Sequence, residues 1–293
     1  MFWGDIILHE PALIKELPKE IVALCWGYEA DHPFDEQCRR FASSGIPFYV
    51  CPGTSSWGSL TGRTSNCIAN LANAAKHGLA HGAEGFLNTD WGDNGHHQYL
   101  PISYLGILCG ACFSWCRQAN EKTDFAKGLD ALCFRDSAGI LGKTLCELGK
   151  VLERVKPRPS NSTVFQQLLF SDFKGDPAEF LKGIDVPALE KCVADFDRLA
   201  SQIPLARPGI PDGDLAKAEL RNGIRMARHA AAKAIAFMRR TDEAARLKSE
   251  LSLIKRLHEQ LWLSRNRLGG LRESSDLLMA TLPSLESRRE PGR

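Results

Sequence analysis

The sequence predicts an α/β fold with a parallel β-sheet, because short apolar runs alternate with helical segments through its first 119 residues. Parallel neighbours can be joined only by a crossover, so the order βαβαβαβα requires a parallel sheet covered by helices. Four runs have strand character, being rich in Ile, Val, Phe, Tyr or Leu: Phe2–Leu8, Ile21–Tyr28, Pro47–Cys51 and Gly85–Asp90. The helical segments are Pro11–Leu17, Asp35–Ser43, Thr64–His81 and Ile102–Ala119.

The pattern leaves open whether this sheet is an open sheet or part of a barrel. Both architectures place their sites at the carboxyl ends of the strands. No G-x-G-x-x-G follows any of the four strands, which disfavours a dinucleotide-binding fold.

From about Gln118 the chain changes character and predicts a second, mostly α-helical region. We therefore divide the chain into residues 1–118 and residues 119–293. Apolar residues recur at steps of three and four from Asp214 to Arg265, which is typical of an amphipathic helix. A possible N-cap near Thr241–Asp242 means that this segment is predicted equally well as one long helix or as a hairpin of two helices. Such helices are expected to cover the α/β part, with a dimerising hairpin as the alternative.

The composition predicts a globular protein without an electrostatic partner. The 293 residues include 37 Lys and Arg and 35 Asp and Glu, which gives a net charge of +2. This balance excludes the one-signed electrostatic field that proteins use to bind nucleic acid or anionic membranes. The N-terminus has no signal-peptide pattern and no later stretch has the length of a membrane span. Ten cysteines scattered through apolar segments behave like free thiols of a reducing compartment. The expected location is cytoplasmic.

Aromatic and acidic residues concentrate where the predicted strands end. The tips are Trp3-Gly4-Asp5, Trp26-Gly27-Tyr28-Glu29, Thr54-Ser55-Ser56-Trp57 and Asp90-Trp91-Gly92-Asp93. A sugar needs flat apolar walls for its C–H faces and carboxylates for its hydroxyls. Each tip residue alone is also consistent with packing or capping, but the repetition in four successive units predicts a saccharide or polyol site.

Neither a metal nor a cofactor is expected. Cys109, Cys112 and Cys116 lie within an apolar helical run and have no partner pair of the zinc-ribbon kind. The acids and histidines between Asp90 and His97 do not have the spacing of an EF-hand or of H-E-x-x-H. The pair Asp35-Glu36 follows a proline and is interpreted as a helix start, where the macrodipole favours acids.

Taken in order, the tips resemble strands five to eight of the β-N-acetylhexosaminidase (β/α)8 barrel of family 20 glycoside hydrolases. The resemblance is carried by Trp3-Gly4-Asp5, by Cys25-Trp26-Gly27-Tyr28, by the run from Pro47 to Trp57 and by Thr89-Asp90-Trp91-Gly92-Asp93-Asn94-Gly95. The segment from Leu261 to Leu271 is similar to the terminal helix of the same group. The resemblance implies a partial (β/α)8 barrel of about four βα units followed by the helical region.

The resemblance also implies roles for individual residues. Trp91 and Asp93 would line the pocket for the terminal sugar, Asp93 accepting from its outer hydroxyls. Trp57 would form another wall, and Tyr28 would hydrogen-bond the acetamido carbonyl. Trp3 and Asp5 would complete the floor. Members of the family hydrolyse terminal N-acetylhexosamine by a substrate-assisted retaining mechanism, with a glutamic acid protonating the leaving group.

In the family, the catalytic Asp-Glu pair belongs to the fourth strand, and this chain begins near the fifth. No catalytic residue is therefore identified, and we expect a truncated chain that is nearly inert alone, since general acid catalysis contributes about 10²–10⁴-fold. A half barrel leaves unpaired edges, so a partner chain or a homo-oligomer is expected to complete it. The alternatives are a non-catalytic saccharide-binding protein and a helical interaction module on an α/β scaffold.

Overall fold

The protein has an α/β fold built on a small parallel sheet. A computed structural model describes residues 1–156, 159–173 and 181–280. Four parallel strands lie in the order β1-β2-β3-β4. They are β1 (Phe2–Trp3), β2 (Ala23–Trp26), β3 (Phe48–Cys51) and β4 (Gly85–Phe86). The predicted parallel sheet is thus confirmed, and its strands follow one another in the sheet as they do in the chain.

The outer strands are shorter than the sequence predicted. The strand expected over Phe2–Leu8 ends at Trp3, and Asp5–His9 forms helix α1, so that prediction was wrong beyond Trp3. A short apolar run does not distinguish strand from helix, and Asp5 in the first turn favours the helix through the macrodipole. On the other side, β4 ends at Phe86, and one further parallel bridge joins Gly53 to Thr89.

The helices between the strands lie where the periodicity placed them. Pro11–Glu16 is a 3-10 helix, α2 spans Phe34–Ser44 and α3 spans Thr64–Ala80. Helix α2 carries Asp35 and Glu36 in its first turn and ends at Gly45, whose φ of 69° is left-handed. The interpretation of Asp35-Glu36 as a helix start is confirmed.

Helix α4 (Leu100–Asn120) approaches the loops after β3 and β4 closely because it presents glycines to them. A Cβ on Gly106 would lie 2.4 Å from the Cα of Thr54, and one on Gly110 would lie 2.3 Å from Nδ2 of Asn88. By length and composition α4 could cross a membrane, but half of its most apolar stretch is buried within the protein, as in the core helices of soluble proteins.

The rest of the described chain is helical. Its α-helices are α5 (Phe125–Gly128), α6 (Leu141–Leu148), α7 (Val164–Phe170), α8 (Val186–Gln202), α9 (Gly213–Arg239), α10 (Ala244–Arg265) and α11 (Leu271–Met279). Leu129–Phe134 forms a π-helix, and 3-10 turns span Val151–Arg154 and Ile203–Leu205. The segment from Asp214 to Arg265 is therefore two helices: α9 ends before Arg240, whose φ is 56°, and the N-cap of α10 is Glu243.

Two hydrophobic clusters hold these layers together. The smaller one lies between the sheet and α2 and includes Phe34, Phe41 and Phe48. The larger one joins α3 and α4 to the C-terminal helices, so its residues come from both sides of residue 118. The predicted division at residue 118 remains a prediction, but the packing between the two parts is continuous.

One buried carboxylate, that of Asp136, holds two segments of the helical region together. Asp136 accepts hydrogen bonds from four backbone N–H groups, those of Ala138, Ile140, Leu141 and Arg207. Burial alone raises the pKa of its carboxyl, but the four bonds lower it below its usual value. One carboxylate thereby joins the turn before α6 to the segment before α9.

Candidate functional site

All six predicted site residues line one cleft at the carboxyl ends of the strands. Its volume is about 470 Å³, and its walls also include Ile6, Trp26 and Asn161. The predicted residues are Trp3, Asp5, Tyr28, Trp57, Trp91 and Asp93. Four of the six tryptophans of the chain thus face a single space. Because the carboxyl ends of parallel strands meet at one edge of a sheet, tips that are distant in sequence lie side by side.

Tyr28 is the centre of the aromatic arrangement. Its ring centroid lies 5.0 Å from that of Trp26 and 4.9 Å from that of Trp57, which it meets edge to face at 87°. Its hydroxyl accepts a 3.0 Å hydrogen bond from Nε1 of Trp91, whose own ring lies 5.7 Å from Trp3. These are the separations of favourable aromatic pairs, so the walls of the cleft support one another.

The walls differ in how far they are open to solvent. Trp57 is 1% exposed and lies deepest, whereas Trp3 and Trp91 are 42% and 38% exposed. Burial raises the pKa of the Tyr28 phenol, and hydrogen bonds to Thr89 and Trp91 only partly offset this. Tyr28 is therefore neutral at physiological pH and keeps its phenolic proton.

The two carboxylates of the cleft have different surroundings. Oδ1 of Asp5 accepts a 3.0 Å hydrogen bond from Nε1 of Trp26, which fixes both side chains. Asp93 is exposed, and none of the described residues donates a hydrogen bond to its carboxylate. Asp93 is thus the acid that keeps its acceptor capacity for a ligand. Around the cleft, the described residues offer no group of three ligand atoms suited to a metal ion.

The loop that carries Tyr28 is held by asparagines of α3. Nδ2 of Asn66 donates to the carbonyl of Tyr28, and Nδ2 of Asn70 donates to the carbonyls of Gly27 and Glu29. Nδ2 of Asn73 continues the series at the carbonyls of Ala30 and His32. Asparagine is a poor helix former, so three of them on one face of α3 were a signal that the sequence analysis did not use.

The loop after Trp91 has an unusual backbone conformation. Asn94, Gly95 and His96 all have positive φ, at 53°, 92° and 54°, which costs non-glycine residues about 1–2 kcal/mol each. Nε2 of His97 donates to the carbonyl of Ser274 in α11 at 2.9 Å, and Oγ of Ser274 donates back to the carbonyl of Gly95. The C-terminal helix thus stabilises the strained loop that presents Asp93.

Asp90, which precedes Trp91, does not line the cleft, and its carboxylate binds neighbouring hydroxyls instead. Its Oδ1 accepts hydrogen bonds of 2.6 Å from the hydroxyls of both Thr54 and Ser56. Oγ of Ser103 donates in turn to Oγ of Ser56 at 2.9 Å. This buried chain of hydroxyls joins the third and fourth strand tips to α4 and so fixes the relative positions of Trp57 and Trp91.

Three wall residues were not among the predicted ones. Trp26 belongs to a tip that the sequence analysis identified, and its packing on Tyr28 explains its place. Ile6 lies in α1, which was predicted as strand. Asn161 comes from the helical region, where its backbone N–H donates to Glu29, 132 residues away in the chain. No local pattern in the sequence marks such a contact.

No family model matches the chain, and no curated protein matches it significantly. The resemblance to family 20 glycoside hydrolases accordingly stays a prediction that rests on the strand tips.

Proposed function

We propose that the chain binds a terminal N-acetylhexosamine in the cleft lined by Trp3, Trp57 and Trp91, as the sugar-binding part of a β-N-acetylhexosaminidase-type site. The observation that carries the proposal is the convergence of four tryptophans, one tyrosine and two aspartates on one space of about 470 Å³. Aromatic faces that cover sugar C–H groups, with carboxylates that accept from hydroxyls, suit a pyranose better than a flat or highly charged ligand.

The arrangement of the strands supports the accompanying fold proposal, a part of a (β/α)8 barrel. The strands keep the sequential order β1-β2-β3-β4, as they do around a barrel. In doubly wound open sheets, by contrast, the strand order reverses at a switch point, and the ligand binds there.

In this proposal Trp3 and Trp91, whose rings pack against each other, form one wall that covers the C–H face of the sugar, and Trp57 closes the bottom. Asp93, which has no hydrogen-bond donor among the described residues, accepts from the outer hydroxyls. The O–H of Tyr28 donates to the acetamido carbonyl, because its oxygen already accepts from Trp91.

The alternative of saccharide binding without hydrolysis has a specific observation in its favour. The acid of a glycosidase lies in an apolar enclosure that keeps it protonated. Of the two cleft carboxylates, Asp5 is engaged by Trp26 and Asp93 is exposed. The described cleft therefore suits recognition of the sugar, and we expect hydrolysis of a nitrophenyl N-acetyl-β-glucosaminide by this chain alone to be close to background.

Intrinsic fluorescence tests the proposal directly, since most of the tryptophans line the cleft. Titration with N-acetylglucosamine is expected to change the emission of the wild type and to give a saturable curve. Trp91→Ala is expected to weaken binding by about tenfold or more, which corresponds to about 1.4 kcal/mol. Trp115→Ala is the matched control, because Trp115 is 90% exposed on α4 and does not line the cleft.

A second substitution separates recognition of the acetamido group from general sugar binding. Tyr28→Phe is expected to weaken binding of N-acetylglucosamine while leaving weak binding of glucose unchanged. Equal affinities of Trp91→Ala and Trp115→Ala would refute the cleft as the site and would favour the helical interaction module. Efficient hydrolysis by the chain alone would instead refute the non-catalytic alternative.

A further inference from the structure

A cluster of metal-ligating side chains lies outside the cleft, where α2 begins beside the end of α3. Oδ1 of Asp35 lies 3.0 Å from Nδ1 of His77 and 2.7 Å from Nε2 of His81. All three atoms lie within 4.8 Å of one another. Hydrogen bonds from His81 and His77 hold the pKa of Asp35 below its usual value.

The helix geometry places the two imidazoles on one face. His77 and His81 are four residues apart at the end of α3, so their side chains are neighbours on its surface. Their side chains are 19% and 20% exposed, whereas that of Asp35 is 58% exposed. The imidazoles are thus largely fixed by packing, and the carboxylate remains accessible from solvent on the third side.

The separations match the coordination sphere of a small transition-metal ion. Ligand atoms about 2.0–2.1 Å from a tetrahedral Zn²⁺ lie about 3.3 Å from one another, so each imidazole nitrogen needs to move a few tenths of an ångström away from Oδ1 of Asp35, and the two nitrogens are already within 4.8 Å of each other. Two neutral imidazoles and one carboxylate form a donor set that Zn²⁺, Ni²⁺ and Cu²⁺ prefer over Mg²⁺ or Ca²⁺, which need oxygen ligands.

We propose that Asp35, His77 and His81 bind one divalent transition-metal ion of the Zn²⁺ type, with water in the remaining position. The metal takes the place of the hydrogen that now lies between each imidazole nitrogen and the carboxylate, and that hydrogen moves to the other nitrogen of the same ring, so each imidazole stays neutral. The ion joins the first turn of α2 to the last turn of α3.

This bridge bears on the cleft through the loop between β2 and α2. Asn70 and Asn73 of α3 already hold the backbone of Gly27, Glu29 and His32. Asp35 lies at the far end of the same loop, so a metal at Asp35 fixes the second end of the segment that carries Tyr28. The proposal itself rests on the three ligand side chains and does not depend on what the cleft binds.

The test is calorimetric titration of the untagged chain with Zn²⁺, accompanied by the visible spectrum of the Co²⁺ complex. One ion per chain is expected to bind, with a rise in melting temperature, since the metal binds the native state. His77→Ala and His81→Ala are expected to weaken binding by more than the about 10–100-fold that loss of an outer-shell partner costs. Circular dichroism checks that both variants fold.

Two controls make the result decisive. His9→Ala removes an exposed histidine outside the cluster, and Cys116→Ser removes an exposed thiol that also attracts Zn²⁺; both are expected to bind like the wild type. Zn²⁺ binding that persists in His77→Ala and His81→Ala but is lost in Cys116→Ser would assign the ion to the cysteines and overturn the proposal. A wild type that binds no Zn²⁺ would overturn it as well.

Discussion

Acid is expected to destabilise the protein through His258, which is buried in its neutral form. Nδ1 of His258 accepts a 3.0 Å hydrogen bond from the hydroxyl of Tyr99, which in turn accepts from Nδ2 of Asn222. Nε2 of His258 donates at 2.9 Å to Oγ of Ser274, which donates to the carbonyl of Gly95. This direction of donation leaves Nδ1 without a proton, so protonation of His258 disrupts the chain.

The size of this loss of stability follows from the lowered pKa of His258. Burial, with the nearby His97 and His96, lowers the pKa of His258 from 6.5 to about 3. Between these values the unfolded chain binds more protons than the folded one, so the stabilising contribution is complete above pH 6.5 and is lost as the pH falls. From pH 7 to pH 5 the loss attributable to this group is about 2 kcal/mol.

Urea unfolding at both pH values measures this loss, and His258→Gln isolates it. Other buried histidines also have a lowered pKa, among them His97 and His229, so the wild type is expected to lose more than His258 alone accounts for. The variant is expected to be less stable at neutral pH but to lose about 2 kcal/mol less than the wild type on acidification. An equal loss in both proteins would refute the argument, and His9→Gln controls for an exposed histidine.

Two further substitutions test the parts of the fold that support the site. Asp136→Ala leaves four backbone N–H groups, one of them buried, without their acceptor and is expected to lower the free energy of unfolding by about 3 kcal/mol. Asp214→Ala, at a fully exposed position, is expected to leave it unchanged in urea titrations. Gly95→Ala adds a Cβ 2.6 Å from His97 and 2.7 Å from Leu277 at a φ of 92°, whereas Gly82→Ala has a φ of 74° and open space. Both are expected to lose about 1 kcal/mol to backbone strain, and only Gly95→Ala is expected to lose more and to weaken sugar binding; equal effects would contradict the steric account.

Much of the α/β part is predictable because its signals are local. The helices α2, α3 and α4 show apolar periodicity over several turns, and their ends are marked by residues such as Asp35 and Gly45. The failure at Ile6 has an equally local reason. A run of three apolar residues after Asp5 fits both the helical period of about 3.6 and the strand period of about 2. A strand of two residues is too short to show an alternation of apolar and polar residues.

The parallel topology explains why the cleft residues lie together, but it does not explain the contacts from the helical region that hold them in place. Once the strands are known to be parallel, Trp3, Tyr28, Trp57 and Trp91 must lie at one edge of the sheet, and they do line one cleft. The contacts of Asn161 with Glu29 and of His97 with Ser274 cross 132 and 177 residues. Such contacts depend on how the helical region packs, and no periodicity or spacing encodes them.

Through these long-range contacts the helical region contributes directly to the cleft. It provides Asn161 as a wall, and Ser274 in α11 binds the backbone of the strained loop that carries Asp93. The same serine accepts from His258 of α10, which Tyr99 connects to the first turn of α4. A helical region that only covered the sheet would need apolar contacts alone. The buried polar chain from Asn222 to Gly95 instead fixes one arrangement of loop and helices, because its members donate to and accept from one another across α9, α10, α11 and the loop.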